Sequence, residues 1–270
     1  MKAVLLLDGD APKVAPAQLS RIVLKAGIEV GRAGADFGIV VGGDGRFGRY
    51  GRTEKLPLLF VGVRSKGAAG SKAHLAQTTF DELPEALAKI RSGEYAVDAH
   101  RRLRVTKEAK VLGEVFTDVY LQRGDEGSCL RYKLSVSGKG ARFEEAAIAD
   151  GVVVATRAGS TGYYSYVDRI RGNMVEPSAF AHVGRDEVGI CHITPTYTER
   201  LGAEIHPLRY TVPWGSKIEI SLFREADARL FGVADSRAGI KVSMGEKVSI
   251  TAGKEVTKVM TLRYDPHRSW

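Results

Sequence analysis

A glycine-lined turn that carries one acid follows a strongly apolar segment near residue 40. The segment Phe37–Val41 has the pattern of a buried strand, and the turn Gly42-Gly43-Asp44-Gly45 comes directly after it. Glycines let backbone N–H groups approach an anion closely, and a single aspartate there can take a proton from a hydroxyl or help to hold a metal. The turn therefore predicts a site for phosphate chemistry, with a plain hairpin turn as the alternative.

A second loop of small residues follows another apolar segment. After Asp150, residues 151–155 predict a buried strand, which leads into the run Gly159–Tyr163, Gly-Ser-Thr-Gly-Tyr. Backbone and hydroxyl donors at the start of a helix can bind a phosphate or a ribose, and an ordinary Ser/Thr N-cap is the alternative. The GxSxG spacing of a hydrolase is absent, so we do not expect Ser160 to be a nucleophile.

The elements around the first motif alternate between strand and helix. Residues 3–7, 37–41 and 58–63 predict strands, and helical periodicity at Leu19, Ile22, Val23 and Ile28, and again over 80–90, predicts helices. From about residue 101, short alternating runs predict strands instead. We therefore expect an α/β N-terminal domain with a Rossmann-like parallel sheet (1–98) and a β-rich C-terminal domain (99–270), whose last residues pack back on the first domain.

Composition limits the partners. The 270 residues carry a formal net charge of +8, which favours anionic partners. No RNP-like or helix-turn-helix motif is present, so phosphorylated small molecules are expected rather than nucleic acid. No segment is apolar enough to span a bilayer and an acid, Asp8, comes early, so we expect a cytoplasmic protein with no membrane contact. Cys129 and Cys191 are too far apart in sequence to indicate a redox motif.

Together the two motifs resemble the NAD kinase family. That family has a GGDG turn in an α/β domain, then an Asn-acid pair, then a DG…TPTGSTAY segment in a β-rich domain. This chain follows the same order: the GGDG turn, then Thr117-Asp118, then Asp150-Gly151 and the run Gly159–Tyr163. The resemblance implies the NAD kinase/diacylglycerol kinase-like fold.

The resemblance also implies an activity and a set of site residues. Asp44 would be the general base that accepts the proton of the adenosine 2′-hydroxyl of NAD as this oxygen attacks the γ-phosphoryl of ATP. Mg²⁺ would accompany ATP, and neighbouring subunits of a homodimer or homotetramer would complete the NAD site. The other residues expected to bind nucleotide are Gly43, Gly45, Thr117, Asp118, Asp150, Thr161, Gly162 and Tyr163.

Several residues depart from the family's pattern. Arg157 and Ala158 replace a Pro-Thr pair in the glycine loop, and Asp235-Ser236-Arg237 stands where a DGQ-like turn is common. Arg46 follows the turn where Thr is usual, and Arg64 and Thr117 stand where Asn is usual. Arg46 either contacts a phosphate or lies on a solvated loop. The chain contains only one Asn, Asn173, and three Gln. Depletion of Asn and Gln is a signal of hyperthermophilic proteins. Such a bias in composition accounts for the replacement of Asn by Arg64 and by Thr117 without loss of function. The alternative is that the chain acts on a different substrate.

Other interpretations compete with this one. A related GGDG kinase with a different acceptor, such as a lipid, is opposed by the second motif. A non-catalytic NAD(P)-binding regulatory protein is opposed by the intact Asp44. Tyr163 is expected to contact the ligand, whereas Tyr164 and Tyr166 are expected to pack. No metal-ligand spacing is found, so no metal site is predicted and surface or loop positions are expected for three histidines: His182, His192 and His206.

Overall fold

The computed structural model describes residues 1–7, 14–63, 73–125, 127–138, 140–170, 183–235 and 238–262. The chain divides into two compact units, one made of Met1–His100 with Val256–Trp270 and the other of Arg101–Glu255. Within the described ranges, no helix is long and apolar enough to cross a membrane.

In the first unit, strands alternate with helices, as the sequence predicts. Its elements are β1 (Lys2–Leu6), α1 (Pro16–Lys25), β2 (Glu29–Val30), β3 (Phe37–Gly42), α2 (Asp44–Thr53), β4 (Leu58–Gly62), β5 (Thr78–Thr79) and α3 (Leu83–Arg91).

Strands predominate in the second unit. The elements that follow are β6 (Tyr95–Lys107), β7 (Lys110–Val115), β8 (Asp118–Arg123), β9 (Leu130–Gly138), β10 (Ala141–Ala149), β11 (Gly151–Ala155), a 3₁₀ turn (Tyr163–Ser165), α4 (Tyr166–Ile170), β12 (Glu187–Ile193), β13 (Tyr197–Arg200), β14 (Arg209–Pro213), β15 (Lys217–Leu222), β16 (Ala228–Phe231), β17 (Ile240–Val242) and β18 (Lys247–Leu262). Strands β6 and β18 each begin in one unit and end in the other.

The strands of the first unit form a parallel sheet. Strand β1 pairs with β2 and β3, and β4 pairs with β3, β5 and the end of β18, each in parallel. All six residues of β3 are buried, which is typical of a parallel strand that is covered on both faces. Helix α1 buries Leu19 and Val23 against the core of this unit. It ends before Ile28, because Gly27 adopts a positive φ of 71° directly after the C-cap.

Helix α2 forms although its ten residues include three glycines after Asp44. Each glycine costs a helix up to about 1 kcal/mol relative to alanine. Tertiary contacts offset this cost: the Phe47 ring stacks on Phe60 with centroids 4.5 Å apart, and the Thr257 hydroxyl donates to the carbonyl oxygen of Gly51. The basic run that follows the GGDG turn is therefore helical.

The second unit packs two antiparallel sheets on a shared core. In one sheet β10 pairs with β13 and β9, and β15 pairs with β9 and β18. The other sheet has the order β14-β12-β11-β8-β16-β17. Alternate residues of both sheets meet in the core, such as Val119 and Leu121 from β8 and Leu130 and Leu134 from β9.

We predict that Phe47→Ala lowers the free energy of unfolding by about 3–5 kcal/mol, because it deletes a fully buried ring. Leu24→Ala, which changes an exposed apolar residue of α1, serves as the control and should change the free energy by less than about 0.5 kcal/mol. Denaturant titration measures both. Equal effects of the two substitutions would show that Phe47 does not anchor α2.

Candidate functional site

Asp44 lies where strand β3 ends and helix α2 begins. Gly43 is the extended N-cap residue of α2, and Asp44 is the first residue of the helix, where a negative charge is favoured by the helix dipole. Its carboxylate accepts the backbone N–H of His74 at Oδ2 and that of Leu75 at Oδ1, each at 3.0 Å. Both oxygens are therefore held in defined directions.

Arg46 packs back onto the end of β3. Its guanidinium donates to the carbonyl oxygen of Val41 at 3.3 Å. A Cβ on Gly42 would lie 2.5 Å from the Arg46 Cδ, so the arginine stem occupies the space beside this glycine. Arg46 is a half-buried residue of α2, and the alternative that places it on a solvated loop is wrong. Arg64 lies outside the described residues.

The Thr117-Asp118 pair lies at the start of β8, in the second unit. The Thr117 carbonyl accepts two hydrogen bonds from Thr156, one from its N–H at 2.8 Å and one from its hydroxyl at 3.0 Å. The Thr117 hydroxyl donates to Asp118 Oδ1 at 3.2 Å. The threonine that stands in place of the expected Asn is thus directed at the neighbouring carboxylate.

Two glycines approach the backbone of this pair closely. A Cβ on Gly159 would lie 2.2 Å from the Thr117 carbonyl oxygen, and one on Gly232, which has a φ of 95°, would lie 2.4 Å from that of Asp118. Gly162 faces the same pair, since its Cβ would lie 3.5 Å from Asp118 Oδ2. The structure therefore brings Thr117, Asp118 and the glycine loop together.

Most donors of this loop are used within the loop itself. The N–H of Gly159 donates to Thr156, that of Ser160 to Arg157 and that of Gly162 to Gly159, at 3.0–3.2 Å. The Ser160 hydroxyl is buried and donates to the Arg157 carbonyl at 2.7 Å. Consecutive turns engage these four groups before the 3₁₀ turn begins, and a role of the loop in binding a phosphate or a ribose stays a prediction.

The three tyrosines after the loop differ in their surroundings. Tyr164 and Tyr166 pack as predicted: the Tyr164 hydroxyl donates to the Tyr210 carbonyl at 3.2 Å, and that of Tyr166 to the His192 carbonyl at 2.6 Å. Tyr163 is half-buried, and a ligand contact at its ring stays a prediction.

The Tyr163 ring belongs to a row of aromatic rings. It meets Tyr120 edge to face, with centroids 5.3 Å apart, and Tyr120 stacks on Phe231 at 5.2 Å. Burial, and then the nearby charge of Asp150, raise the pKa of Tyr163 above its usual value. Its hydroxyl therefore stays protonated at neutral pH.

Asp150 lies at the other end of β11 from the glycine loop. Asp118 pairs with Ala155 and Gln122 with Gly151, which separates Asp150 from Asp118 by about 13 Å or more along the strands. Arg123 forms an ion pair with Asp150 at 2.9 Å. The structure thus groups Thr117, Asp118 and Gly162 at one end of β11 and places Asp150 at the other end, near enough to Tyr163 for its charge to raise the pKa of that tyrosine.

Sequence reasoning missed a buried polar cluster in the second unit. His192 is fully buried on β12, so its assignment to the surface or a loop is wrong, whereas His206 is exposed and His182 lies outside the described residues. The available signal is the single histidine within the apolar run 188–193 of this strand. The same cluster contains Glu145, which is also fully buried. Across the described ranges, no group of three or more His, Cys, Asp or Glu side chains could hold a metal ion.

Comparison with known proteins finds relatives along most of the chain. No family model matches it. The chain is 24% identical over 258 residues to an NAD kinase of Thermoplasma volcanium, which covers 96% of this chain and 85% of the relative. It is 28% identical over 239 residues to an NAD kinase of a Geobacter species, covering 86% of this chain and 74% of the relative.

Two solved structures share the fold. One is an NAD kinase from Archaeoglobus fulgidus in complex with ATP, with a TM-score of 0.63 and 20% identity, and it covers 97% of this chain and 94% of that chain. The other is the yeast NADH kinase complexed with NADH, with a TM-score of 0.68 and 14% identity over 98% of this chain and 84% of that chain. In sequence and in fold, the chain is therefore a divergent relative of a family of kinase enzymes, the NAD kinases.

Proposed function

We propose that the chain transfers the γ-phosphoryl group of ATP to the adenosine 2′-hydroxyl of NAD, forming NADP, with Asp44 as the general base. The observation that carries the proposal is the Asp44 carboxylate, which lies at the end of a buried strand and accepts two backbone N–H groups. The relatives named NAD kinase and the structures with ATP and NADH support the same reaction.

The geometry of Asp44 suits a base. An ionised carboxylate accepts hydrogen bonds at both oxygens and can take up the proton of a hydroxyl. Phosphoryl transfer depends mainly on alignment and on neutralisation of charge. A catalytic group that is misplaced by about 1 Å loses much of the rate enhancement that proximity provides. The two backbone hydrogen bonds to Asp44 hold its carboxylate in one orientation, which meets this requirement.

Residues of both units have roles in this proposal. In the predicted α/β domain, 1–98, Gly43 and Gly45 allow a nucleotide phosphate to approach the backbone beside Asp44. In the predicted β-rich domain, 99–270, the residues proposed to bind NAD are Thr117, Asp118, Asp150, Thr161, Gly162 and Tyr163. Among these, the carboxylates can accept hydrogen bonds from ribose hydroxyls. A homodimer or homotetramer that completes the NAD site stays a prediction.

Magnesium fits this proposal as a companion of ATP. Mg²⁺ keeps several waters and is usually held by phosphates with one or two carboxylates, and it would neutralise phosphate charge. The part of the chain that the structure describes offers no cluster of three or more ligands for a metal, so a cage made only of protein side chains is not proposed there.

We predict that Asp44→Asn lowers the rate of NADP formation by about 10²–10⁴-fold, because the amide cannot accept the proton. The assay contains NAD, ATP and Mg²⁺, and it is repeated with NADH as acceptor. The control is Asp81→Asn, which changes an exposed acid of the same unit and should leave the rate unchanged. Full activity of Asp44→Asn would exclude Asp44 as the base; an inactive parent that still binds NAD would favour a non-catalytic NAD-binding protein.

We also predict that Gly159→Ala raises the KM for NAD by roughly 10- to 100-fold, because its Cβ would meet the Thr117 carbonyl and displace the loop. The matched control is Gly127→Ala, since no heavy atom of the described residues lies within 4 Å of that Cβ position. Steady-state kinetics with varied NAD and varied ATP separates the two sites. An unchanged KM for NAD in folded Gly159→Ala would mean that this loop does not shape the acceptor site.

A further inference from the structure

A hydrogen-bonded network lies inside the second unit, and the proposed reaction does not require it directly. Tyr132, Glu145 and His192 are each 0% exposed. The His192 ring joins the other two: Nε2 lies 3.2 Å from Glu145 Oε2, and Nδ1 lies 2.6 Å from the Tyr132 hydroxyl oxygen. The network crosses from β9 and β10 of one sheet to β12 of the other.

Glu145 is the hub of this network. Arg200 donates to its Oε1 through Nε at 3.0 Å and through Nη2 at 2.8 Å, and the Tyr210 hydroxyl donates to Oε2. Burial alone would raise the pKa of Glu145, but the hydrogen bonds from His192, Tyr210 and Arg200 outweigh it and lower the pKa. The carboxylate is thus charged and fully hydrogen-bonded.

Stability alone does not account for such a network. Well-packed apolar residues in place of a buried ion pair are often as stable or more stable. A buried network that is fully satisfied does, however, hold its members in one arrangement. An arrangement fixed in this way can also hold the residues that contact it.

The network leaves the core at two points, and each adjoins a predicted NAD-binding residue. The Tyr132 hydroxyl lies 2.9 Å from the carbonyl oxygen of Gly151, the residue directly after Asp150. The His192 carbonyl accepts the Tyr166 hydroxyl at 2.6 Å, and the Tyr166 ring meets the Tyr163 ring at 6.1 Å between centroids.

We propose that Glu145, His192 and Tyr132 are positioning residues that set Asp150 and Tyr163 for the acceptor nucleotide. This inference rests on the proposed function, because it assumes that NAD binds at those two residues. Glu145 fixes the His192 ring, the ring fixes the Tyr132 phenol, and the phenol holds the Asp150-Gly151 corner. The His192 carbonyl holds the Tyr166 hydroxyl, and the Tyr166 ring in turn contacts the Tyr163 ring.

The chain offers a matched pair of variants as a test. Tyr132→Phe removes the hydroxyl that reaches Gly151, whereas Tyr197→Phe removes a hydroxyl outside the network, which donates to the Glu199 carboxylate. We expect Tyr132→Phe to raise the KM for NAD about 3- to 10-fold, the effect of one lost hydrogen bond, with the KM for ATP unchanged. Tyr197→Phe should leave both KM values unchanged, because the exposed Tyr197 lies outside the network.

Binding without turnover keeps this inference distinct from the proposed function. Titration calorimetry with NAD alone should show the same 3- to 10-fold weakening in Tyr132→Phe, and hydrogen exchange should be faster over residues 150–152 and 163–166 in that variant only. If the parent binds NAD but forms no NADP, the proposed function is contradicted. The NAD affinities of the parent and the two variants would still show whether the network positions the NAD-binding residues. Equal affinities and exchange in all three proteins, or no NAD binding by the parent, would overturn the inference.

Discussion

The arrangement of the second unit depends on how closely two glycines approach one dipeptide. Gly159 lies against the carbonyl group of Thr117 and Gly232 against that of Asp118. A Cβ at these two positions would lie only 2.2 and 2.4 Å from the carbonyl oxygens. Since no side chain fits at such distances, the glycine loop and the turn after β16 can both contact the start of β8. The two hydrogen bonds from Thr156 then hold the loop in register with that strand.

This constraint determines which groups remain available for a ligand. The N–H groups of Gly159, Ser160 and Gly162 bond within this tightly turned segment, and the loop places the Tyr163 ring against Tyr120 and Gly162 beside Asp118. The second unit therefore presents carboxylates and aromatic surface, which suit ribose hydroxyls and planar bases better than phosphates. Asp44, at a helix N-terminus in the first unit, is the residue that we propose for phosphate chemistry.

Much of the fold could be predicted because its signals are local. The apolar segment 37–41 forms most of β3, and the alternating runs after residue 101 form strands such as β15. Helix α2 was not predicted, because glycines at three of its positions oppose a helix locally. Tertiary contacts offset that preference, among them the stacking of Phe47 on Phe60.

The motifs of the candidate site could be recognised in the sequence, but the buried residues that contact them could not. The roles of Glu145 and His192 depend on a pairing across 47 residues of sequence, and a single sequence carries no sign of which distant residues will meet. The inward turn of the Ser160 hydroxyl likewise follows from the fold of the loop.

The most direct test of this account is a crystal structure of the chain with NAD and a non-hydrolysable ATP analogue. The account predicts that the adenosine 2′-oxygen of NAD lies within about 2.6–3.2 Å of an Asp44 carboxylate oxygen, as a general base requires. A 2′-oxygen that is directed away from Asp44, with another hydroxyl or another residue in its place, would contradict it.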